Sequence, residues 1–293
     1  MLHRTIFSVV RTLPSWCHPI RIGRVIGLLY VRLGGSEWIT FRTLNHVEYT
    51  LSLLCRTSAG QIWGSGNHDD EVDMFSKAVI PNTTVIDIGA NVGLVTVPLA
   101  KMCVDSRFLS IEPSSSNVEV LGKNIRSNKL EPRVEIVSCA LGAEVGTMTL
   151  VRESKFGSST GNARLDTNSS NAEVVEIVQI DTLDRVWTSH GKPSVSFIKI
   201  DVEGFEYLVL CGAKSLLSEC RPIIYGEFHN VLMPKNGHNF LDVLELFNSA
   251  NYVVCQFISD LSLTVITSPL PSTGNAFLVP LERMGDLPIV TRN

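Results

Sequence analysis

The run of sequence that decides the fold is a short apolar strand leading into a glycine-rich turn, Val85-Ile86-Asp87-Ile88-Gly89-Ala90-Asn91-Val92-Gly93. Gly89 lets the backbone turn sharply, Asn91 tolerates unusual torsion angles, and Gly93 permits a ligand to approach the start of the next helix closely. A strand, a turn and a helix in this order predict the first unit of an α/β sheet that binds its ligand at the carboxyl ends of its strands.

A second strand ends in an acid, in the run Ile111-Glu112-Pro113. Glu112 stands nineteen residues after Gly93, where an acid accepts hydrogen bonds from both hydroxyls of an adenosine ribose. The turn, the helix, the second strand and the terminal acid together predict a cofactor that contains adenosine. Asp87 would repel a pyrophosphate but suits a cationic amino group, which favours S-adenosylmethionine over NAD. The alternative is that Asp87 merely satisfies local backbone amides.

Strands and helices alternate along most of the remaining chain. The predicted strands are 85–88, 108–111, 134–137, 195–200, 223–225 and 252–257. The predicted helices are 70–78, 92–102, 114–127, 205–217 and 240–248. Repeating β-α units imply a mostly parallel sheet with helices on both faces. Upstream, Phe41, Leu44 and Val47, followed by 49–54, predict either a small hairpin or a helix.

A long insertion, about 146–187, separates the third strand from the fourth. It contains the polar stretches 156–162 and 167–171, and then an alternating apolar run from Val174 to Ile180 that predicts a return strand. Insertions of this length inside compact domains are usually functional or disordered.

Composition excludes several broad classes. The chain has 293 residues, 44% hydrophobic and 18% charged, with a net charge of −4, so it can form a core and disorder is not expected. It has no apolar run of the roughly 20 residues that a membrane helix needs. A slightly acidic protein is not expected to bind nucleic acid strongly. The seven cysteines are scattered, and we interpret them as free thiols in a reducing cytoplasm.

The first 36 residues carry five arginines and no acid; the arginines are Arg4, Arg11, Arg21, Arg24 and Arg32. This segment is interpreted as an accessory extension, as a surface for an anionic substrate or membrane, or as a targeting segment. The sequence leaves these three interpretations open.

Three further acids cluster where the fourth strand passes into a helix: Asp201, Glu203 and Glu206. Acids in the first turn of a helix complement the helix dipole, so capping is one interpretation. Asp201, however, falls at the end of its strand beside the expected cofactor cleft, which predicts a functional role. His229 follows the next strand and titrates near neutral pH, although it is also interpretable as a surface histidine. Glu227 is placed to orient His229 or to bind acceptor hydroxyls.

The chain resembles the FkbM-type methyltransferase family. The resemblance covers about 70–252, and its most specific part is Ile198-Lys199-Ile200-Asp201-Val202-Glu203-Gly204-x-Glu206, followed by Leu210-x-Gly212-Ala213. It implies the class I S-adenosylmethionine-dependent fold, Rossmann-like, with a final antiparallel strand near 276–281. It also implies methyl transfer, usually to a hydroxyl oxygen of a sugar, polyketide or similar small molecule.

The resemblance also assigns roles to individual residues. Asp87, Gly89, Asn91 and Gly93 match the turn that holds the methionine end of the cofactor. Glu112, beside Pro113, matches the ribose acid. The run from Cys139 to Gly142, with Ala140, resembles the loop beside the adenine.

Direct displacement at a sulfonium methyl requires an aligned nucleophile and a base to assist its deprotonation. Asp201 is the first candidate for this base and His229 the second, with Glu203, Glu206 and Glu227 as candidates for acceptor binding. Acids at neighbouring strand ends can also hold a divalent cation, but we assign no metal ligand. The expected partner is a small-molecule or glycan acceptor. We expect an N-terminal extension over 1–69 and a cofactor domain over 70–293.

Two alternatives to a methyltransferase are considered. An NAD-dependent oxidoreductase on a doubly wound sheet needs a turn compatible with pyrophosphate and a Tyr/Lys pair, and neither is evident. A catalytically silent relative would keep the cofactor pocket and act as a binding partner.

Overall fold

The computed structural model of the chain describes residues 19–43, 45–53, 68–152, 164–166, 173–228, 232–248, 250–259, 262–266 and 274–290. The predicted polar stretch 156–162, residues 167–171, Leu44 and His229 lie outside the described residues.

The helices and strands of this part of the chain are numbered in chain order. The helices are α1 Pro19–Arg32, α2 His68–Ala78, α3 Thr96–Met102, α4 Ser115–Ser127, α5 Leu183–Ser189, α6 Glu206–Cys211, α7 Lys214–Cys220 and α8 Phe240–Asn248. The strands up to the end of the insertion are β1 Trp38–Arg42, β2 Glu48–Ser52, β3 Thr84–Ile88, β4 Arg107–Ile111, β5 Val134–Val137, β6 Ala140–Leu141, β7 Gly146–Arg152, β8 Arg164–Asp166 and β9 Glu173–Asp181. The later strands are β10 Val195–Ile200, β11 Ile223–Phe228, β12 Tyr252–Ser259, β13 Ser262–Val265, β14 Gly274–Pro280 and β15 Ile289–Val290.

Among the described residues, nine strands form one central sheet in the order β15-β13-β12-β14-β11-β10-β3-β4-β5. The strands from β11 through β10, β3 and β4 to β5 are parallel to their neighbours. β14 runs antiparallel to β11 and β12, between which it lies. The predicted fold is therefore confirmed: a mostly parallel α/β sheet of the class I type, with the expected antiparallel strand at 274–280.

The two faces of the sheet carry separate parts of the core, because successive residues of a strand point to opposite faces. On one face, Val85, Phe108 and Phe197 pack with Phe75 of α2. The ring centroids of Phe75 and Phe197 are 5.3 Å apart. On the other face, the isoleucines of the same strands, such as Ile86 and Ile198, pack with α5, α7 and α8.

Two predicted helices need correction. The helix predicted over 92–102 begins at Thr96, because Gly93 has a φ of +90° and so keeps the turn out of the helical conformation. The helix predicted over 205–217 is broken into α6 and α7 at Gly212. A Cβ at Gly212 would lie 2.1 Å from the carbonyl oxygen of Gly142, so the break occurs where two backbone segments touch.

The described part of the insertion contributes β7, β8 and β9 to a second sheet in the order β6-β9-β7-β8, and β6 directly precedes the insertion. The return strand predicted from Val174 to Ile180 is confirmed as β9. The sequence pattern did not identify β7, which pairs antiparallel with β9 from Gly146 to Arg152.

Before the first βα unit, the chain forms α1 and an antiparallel hairpin of β1 and β2. The hairpin interpretation of 41–54 is thus confirmed for the residues that the structure describes. Tyr49 and Leu51 of β2 are buried in the same core as Phe75 and Val85, so the hairpin packs on the main sheet unit. None of the described helices is long and apolar enough to cross a membrane.

Candidate functional site

The candidate site lies at the carboxyl ends of β3 and β10, which are neighbours in the sheet. From β3 the chain continues outward on one side through β4 and β5, and it later returns to the other side of β3 as β10 and β11. Strand order therefore reverses between β3 and β10, which is where open α/β sheets bind ligands.

The turn after β3 has a backbone that only a few residue types tolerate. Gly89 has a φ of +74° and Asn91 a φ of +51°, and both values are in the left-handed region. A Cβ at Gly89 would lie 1.9 Å from the carbonyl oxygen of Asp201. Gly89 is therefore required both by its torsion angle and by the close contact between the two strand ends.

Glu112 directly follows β4, and only 5% of its surface is exposed. Its side chain is hydrogen-bonded to the turn after β3. Its Oε2 accepts a hydrogen bond of 2.8 Å from the backbone N–H of Asn91. Its Oε1 accepts bonds from the N–H of Ser114 and the side-chain amide of Asn117, each 3.0 Å long. Burial raises the pKa of Glu112, although these three hydrogen bonds and Lys199 act in the opposite direction. The adjacent Pro113 is partly exposed.

Asp87 is also buried, with 2% of its surface exposed. Its Oδ2 accepts a hydrogen bond of 2.6 Å from the hydroxyl of Thr96 at the start of α3. Its Oδ1 lies 3.4 Å from Nζ of Lys199 and accepts no hydrogen bond from the part of the chain that the structure describes. The chain thus supplies its own cation to Asp87, so a direct contact between Asp87 and a cofactor ammonium stays a prediction.

Lys199 connects the turn to the acid at the end of its own strand. Its ammonium donates to the carbonyl oxygen of Gly89 at 3.1 Å and lies 3.5 Å from Oδ2 of Asp201. Burial alone would lower the pKa of Lys199, but the carboxylates of Asp87 and Asp201 outweigh it and raise the pKa. Lys199 is therefore a buried cation between two carboxylates.

Asp201 begins the loop between β10 and α6, and its side chain is 36% exposed. Its backbone N–H donates to the carbonyl oxygen of Ile88, which fixes the main chain of this acid beside the turn. The carboxylate therefore has one oxygen near Lys199 and remains accessible from the carboxyl edge of the sheet.

The next two acids differ from each other in exposure. Glu203 is partly exposed and has a φ of +53°. Glu206 has no exposed surface, and its Oε1 accepts a hydrogen bond of 2.9 Å from the N–H of Gly204. This buried side chain supports the loop that carries Glu203, and its role in binding the acceptor stays a prediction.

Glu227 lies near the end of β11 and pairs in register with Asn275 of β14. Two residues earlier, Tyr225 donates to Oε1 of Glu71 at 3.0 Å and accepts from the amide of Asn275 at 2.5 Å. The pKa of Tyr225 is raised. Burial is the largest cause, and the negative charges of Glu71 and Glu227 add to it. Tyr225, Glu71 and Asn275 thus form a second group of polar side chains. It lies beside the strand of Lys199, since Lys199 and Tyr225 are paired in the register of β10 with β11.

Two other predicted site residues have different placements. Ala140 lies in β6, is buried, and packs with Leu150 and Ile180 of the second sheet. His229 follows Phe228 directly in sequence and is outside the described residues. The assignment of either residue to the site remains a prediction.

The sequence reasoning missed Lys199, Tyr225 and the asparagines of α4. A lone lysine inside the apolar strand Phe197-Ile198-Lys199-Ile200 is a detectable signal, because a charge in a buried strand needs a partner. Tyr225 and Asn275 are fifty residues apart, and only the antiparallel pairing of β11 with β14 brings them together.

The residues at this edge fit S-adenosylmethionine by their chemistry. A carboxylate offers about four acceptor positions, and three described donors bind Glu112, which leaves Oε2 able to accept a ribose hydroxyl. The edge is rich in acids, among them Asp87, Glu112 and Asp201, and this complements a cofactor that carries an ammonium and a sulfonium. Among the described residues, no group of three or more His, Cys, Asp or Glu side chains is arranged to hold a metal ion.

A cleft of about 330 Å³ lies at the opposite edge of the sheet, at the amino ends of β3, β4 and β5. Arg107, Glu135 and His190 are among the residues that line it. It is separate from the candidate site, because it is at the other end of the same strands.

Comparison with known proteins gives the family. Residues 87–254 match the methyltransferase FkbM domain, which is more than half of the chain. The curated methyltransferase sdnD of Sordaria araneosa is 27% identical in an alignment of 158 residues that covers 45% of this chain. This chain spans 60% of the length of that relative.

Two solved structures also align with the chain. The methyltransferase FkbM from Methylobacillus flagellatus aligns over 67% of this chain and 43% of its own, with 18% identity and a TM-score of 0.42. The TYW2 protein of M. jannaschii in complex with AdoMet aligns over 84% of this chain and 85% of its own, with 14% identity and a TM-score of 0.45.

Proposed function

This chain belongs to the methyltransferase FkbM family, and we propose that it transfers a methyl group from S-adenosylmethionine to a hydroxyl oxygen of a sugar, glycan or other small molecule. The family match supports a methyltransferase over the NAD-dependent oxidoreductase. The observation that carries the proposal is the buried carboxylate of Glu112, which is bonded to the N–H of Asn91 in the turn.

In this proposal the turn and Glu112 hold the cofactor. Glu112 would accept a hydrogen bond from a ribose hydroxyl, and the backbone of the turn from Gly89 to Gly93 would hold the methionine end. When bound, S-adenosylmethionine supplies a methyl group on a sulfonium, and the sulfur leaves as a neutral thioether. The chain therefore needs no acid for the leaving group.

Asp201 acts as the general base in the proposal. It is partly exposed at the carboxyl edge, and a base placed there takes the proton from the acceptor hydroxyl as the new bond to carbon forms. Lys199 holds one oxygen of Asp201 near the turn, which orients the carboxylate at this edge. His229 remains a second candidate for this base.

Glu203 and Glu227 are the proposed acceptor-binding acids. They lie on the loops and strands next to Asp201, and carboxylates accept hydrogen bonds from the hydroxyls of sugars and similar molecules. We also propose residues 70–293 as the cofactor domain and residues 1–69 as an extension. The free thiols of Cys139 and Cys255 are compatible with the cytoplasm as the compartment.

Calorimetry with S-adenosylhomocysteine and with NAD tests the cofactor assignment. We expect S-adenosylhomocysteine to bind and NAD not to bind. Binding of NAD alone would contradict the proposal.

The Asp201→Asn variant tests the base. We expect the rate of methyl transfer from radiolabelled cofactor to a mixed pool of glycans and small molecules to fall by about 10²–10⁴-fold, with the affinity for S-adenosylhomocysteine unchanged. Asp105→Asn, an exposed acid just before β4, is the matched control and should change neither quantity. If the wild type binds S-adenosylhomocysteine but transfers no methyl group to any acceptor, the result would instead favour a catalytically silent relative.

A further inference from the structure

Helix α1 presents large apolar side chains to solvent. Val25, Leu28 and Leu29 are 58%, 41% and 51% exposed, and Leu33, directly after the helix, is 87% exposed. These residues are spaced by three, one and four positions, so they lie along one side of the helix. Arg32 is exposed on the same side. We call Val25, Leu28, Leu29, Arg32 and Leu33 the outer face of α1.

The helix is already packed on the protein through its other side. Gly27 is buried, and a Cβ there would lie 3.4 Å from Leu53. Ile26 and Val31 pack against the main core. The outer face is therefore not the side that α1 uses to stabilise the fold, and its apolar side chains need another explanation.

The sequence that contains this face is basic, and Arg32 is exposed on the face itself. The first 36 residues contain five arginines and no acid, although the whole chain has a net charge of −4. Arg42 and Trp38, the latter 46% exposed, lie on the outward side of β1, which follows α1.

Single exposed apolar residues are ordinary, but a cluster of them indicates an interaction surface. A helix in which leucines and valines are mixed with arginines, followed by an exposed tryptophan, has the composition of helices that lie in the membrane interface. Arginine binds phosphate oxygens through its planar set of donors, while leucine and tryptophan gain free energy by leaving water.

We propose that the outer face of α1 binds the surface of a membrane that contains anionic phospholipids, with the helix parallel to that surface. The charge complementarity favours anionic lipid over neutral lipid. The exposed leucines favour lipid over a nucleic acid or another anionic polymer, because a polymer of phosphates gives these side chains no apolar environment. A helix of 14 residues is only about 21 Å long, so it is suited to lie on the hydrocarbon core and not to cross it.

Flotation of the full chain with lipid vesicles tests this proposal, and it does not depend on the methyl-transfer activity. One set of vesicles is phosphatidylcholine alone, and the other contains about one-third phosphatidylserine. We expect the protein to float with the anionic vesicles and not with the neutral ones, and to be released as the salt concentration rises, since salt screens the arginines.

Two variants separate the apolar contribution from the charged one. The double variant Leu29→Glu/Leu33→Glu should reduce partitioning to anionic vesicles by at least about tenfold, and Arg32→Gln should reduce it by about fivefold. The matched controls are Leu241→Glu on α8, where Leu241 is 50% exposed, and Arg107→Gln at the opposite edge of the sheet. Both controls should partition like the wild type. Circular dichroism and S-adenosylhomocysteine binding check that each variant is folded.

Three results would overturn the proposal. The first is equal recovery of the Leu29→Glu/Leu33→Glu variant and the wild type with anionic vesicles. The second is binding to heparin or RNA without binding to vesicles, which would identify an anionic polymer as the partner. The third is a concentration-dependent dimer that this double variant abolishes and that does not bind vesicles, since a second copy of the chain would then cover the face. A failure of S-adenosylhomocysteine to bind the wild type would bear on the proposed function alone.

Discussion

Lys199 and Asp87 face each other across neighbouring parallel strands, with Nζ of the lysine 3.4 Å from Oδ1 of the aspartate and both side chains at least 92% buried. The two residues are paired in the register of β10 with β3. Sheet geometry therefore fixes their distance, and the charge of each compensates the burial of the other.

Replacing Lys199 alone leaves a buried carboxylate without its cation. Lys199→Met should lower the free energy of unfolding by about 3–5 kcal/mol. The double variant Asp87→Asn/Lys199→Met removes both charges and should be clearly more stable than Lys199→Met. Urea unfolding, monitored by circular dichroism, measures the free energy of unfolding of the wild type and of both variants.

The matched control for this pair is Lys192→Met. Lys192 lies 2.8 Å from Glu219, and both side chains are about half exposed, so its removal should cost about 1 kcal/mol or less. Equal losses in Lys199→Met and in the double variant would show that packing, and not charge, explains the effect.

Glu112→Gln tests the acid that holds the turn. The amide has nearly the same shape but loses the charge that strengthens the hydrogen bonds from Asn91 and Ser114. Because hydrogen bonds to charged groups contribute about 1.5–3 kcal/mol, the affinity for S-adenosylhomocysteine should fall by at least about tenfold. Calorimetric titration near pH 8 measures this change, and Glu135→Gln at the amino edge is the control. Unchanged affinity in Glu112→Gln would remove this residue from the cofactor site.

The pH dependence of stability gives an independent test of Glu112. Burial raises the pKa of Glu112 in the folded chain above the ordinary 4.5. At a pH between the ordinary pKa and the raised one, the folded chain keeps a proton that the unfolded chain has released. The folded state then binds more protons, and stability declines as the pH rises through this window. Glu112→Gln cannot titrate, so its urea midpoint should lack this decline. Parallel curves for the two proteins from roughly pH 4 to 8 would contradict the raised pKa.

Gly89 combines a left-handed backbone with a close contact, and a second glycine separates the two effects. Gly191 has a φ of +81°, close to the +74° of Gly89, but a Cβ there would meet no atom within 4 Å. Gly191→Ala should therefore cost only the backbone strain, about 1–2 kcal/mol.

Gly89→Ala adds the overlap with the carbonyl oxygen of Asp201 to that strain. We expect a larger loss of stability than in Gly191→Ala and loss of S-adenosylhomocysteine binding, measured by thermal unfolding and calorimetry. Similar stability and normal binding in both variants would show that the turn can relax.

Much of the fold could be predicted because its signals are local. The strand Val195–Ile200 and the helix Phe240–Asn248 have the predicted bounds, since an apolar run and a helical period are both visible within a few residues. α3 begins four residues later than its apolar pattern predicts, because the left-handed turn at Gly93 interrupts a run whose apolar pattern continues unbroken.

The candidate site can be predicted less completely, because several of its contacts join residues that are far apart in the sequence. Asp87 lies near the end of its strand, and Glu112 and Asp201 directly follow theirs, so their positions at the carboxyl edge could be inferred from the sequence. Their partners could not be, because the contact between Lys199 and Asp87 depends on which strands are neighbours. The burial of Glu206 was also hidden, since an acid in the first turn of a helix is compatible with either exposure or burial.

The side chain of Asn124 in α4 bonds to both the hairpin and the turn. Its Oδ1 accepts from the N–H of Thr50 at 2.7 Å, and its amide donates to the carbonyl oxygen of Val92 at 2.8 Å. A shortened protein that starts after the hairpin would thus lose one support of the turn after β3. Efforts to find a minimal catalytic fragment, or to graft this domain onto another protein, should keep the hairpin as part of the unit.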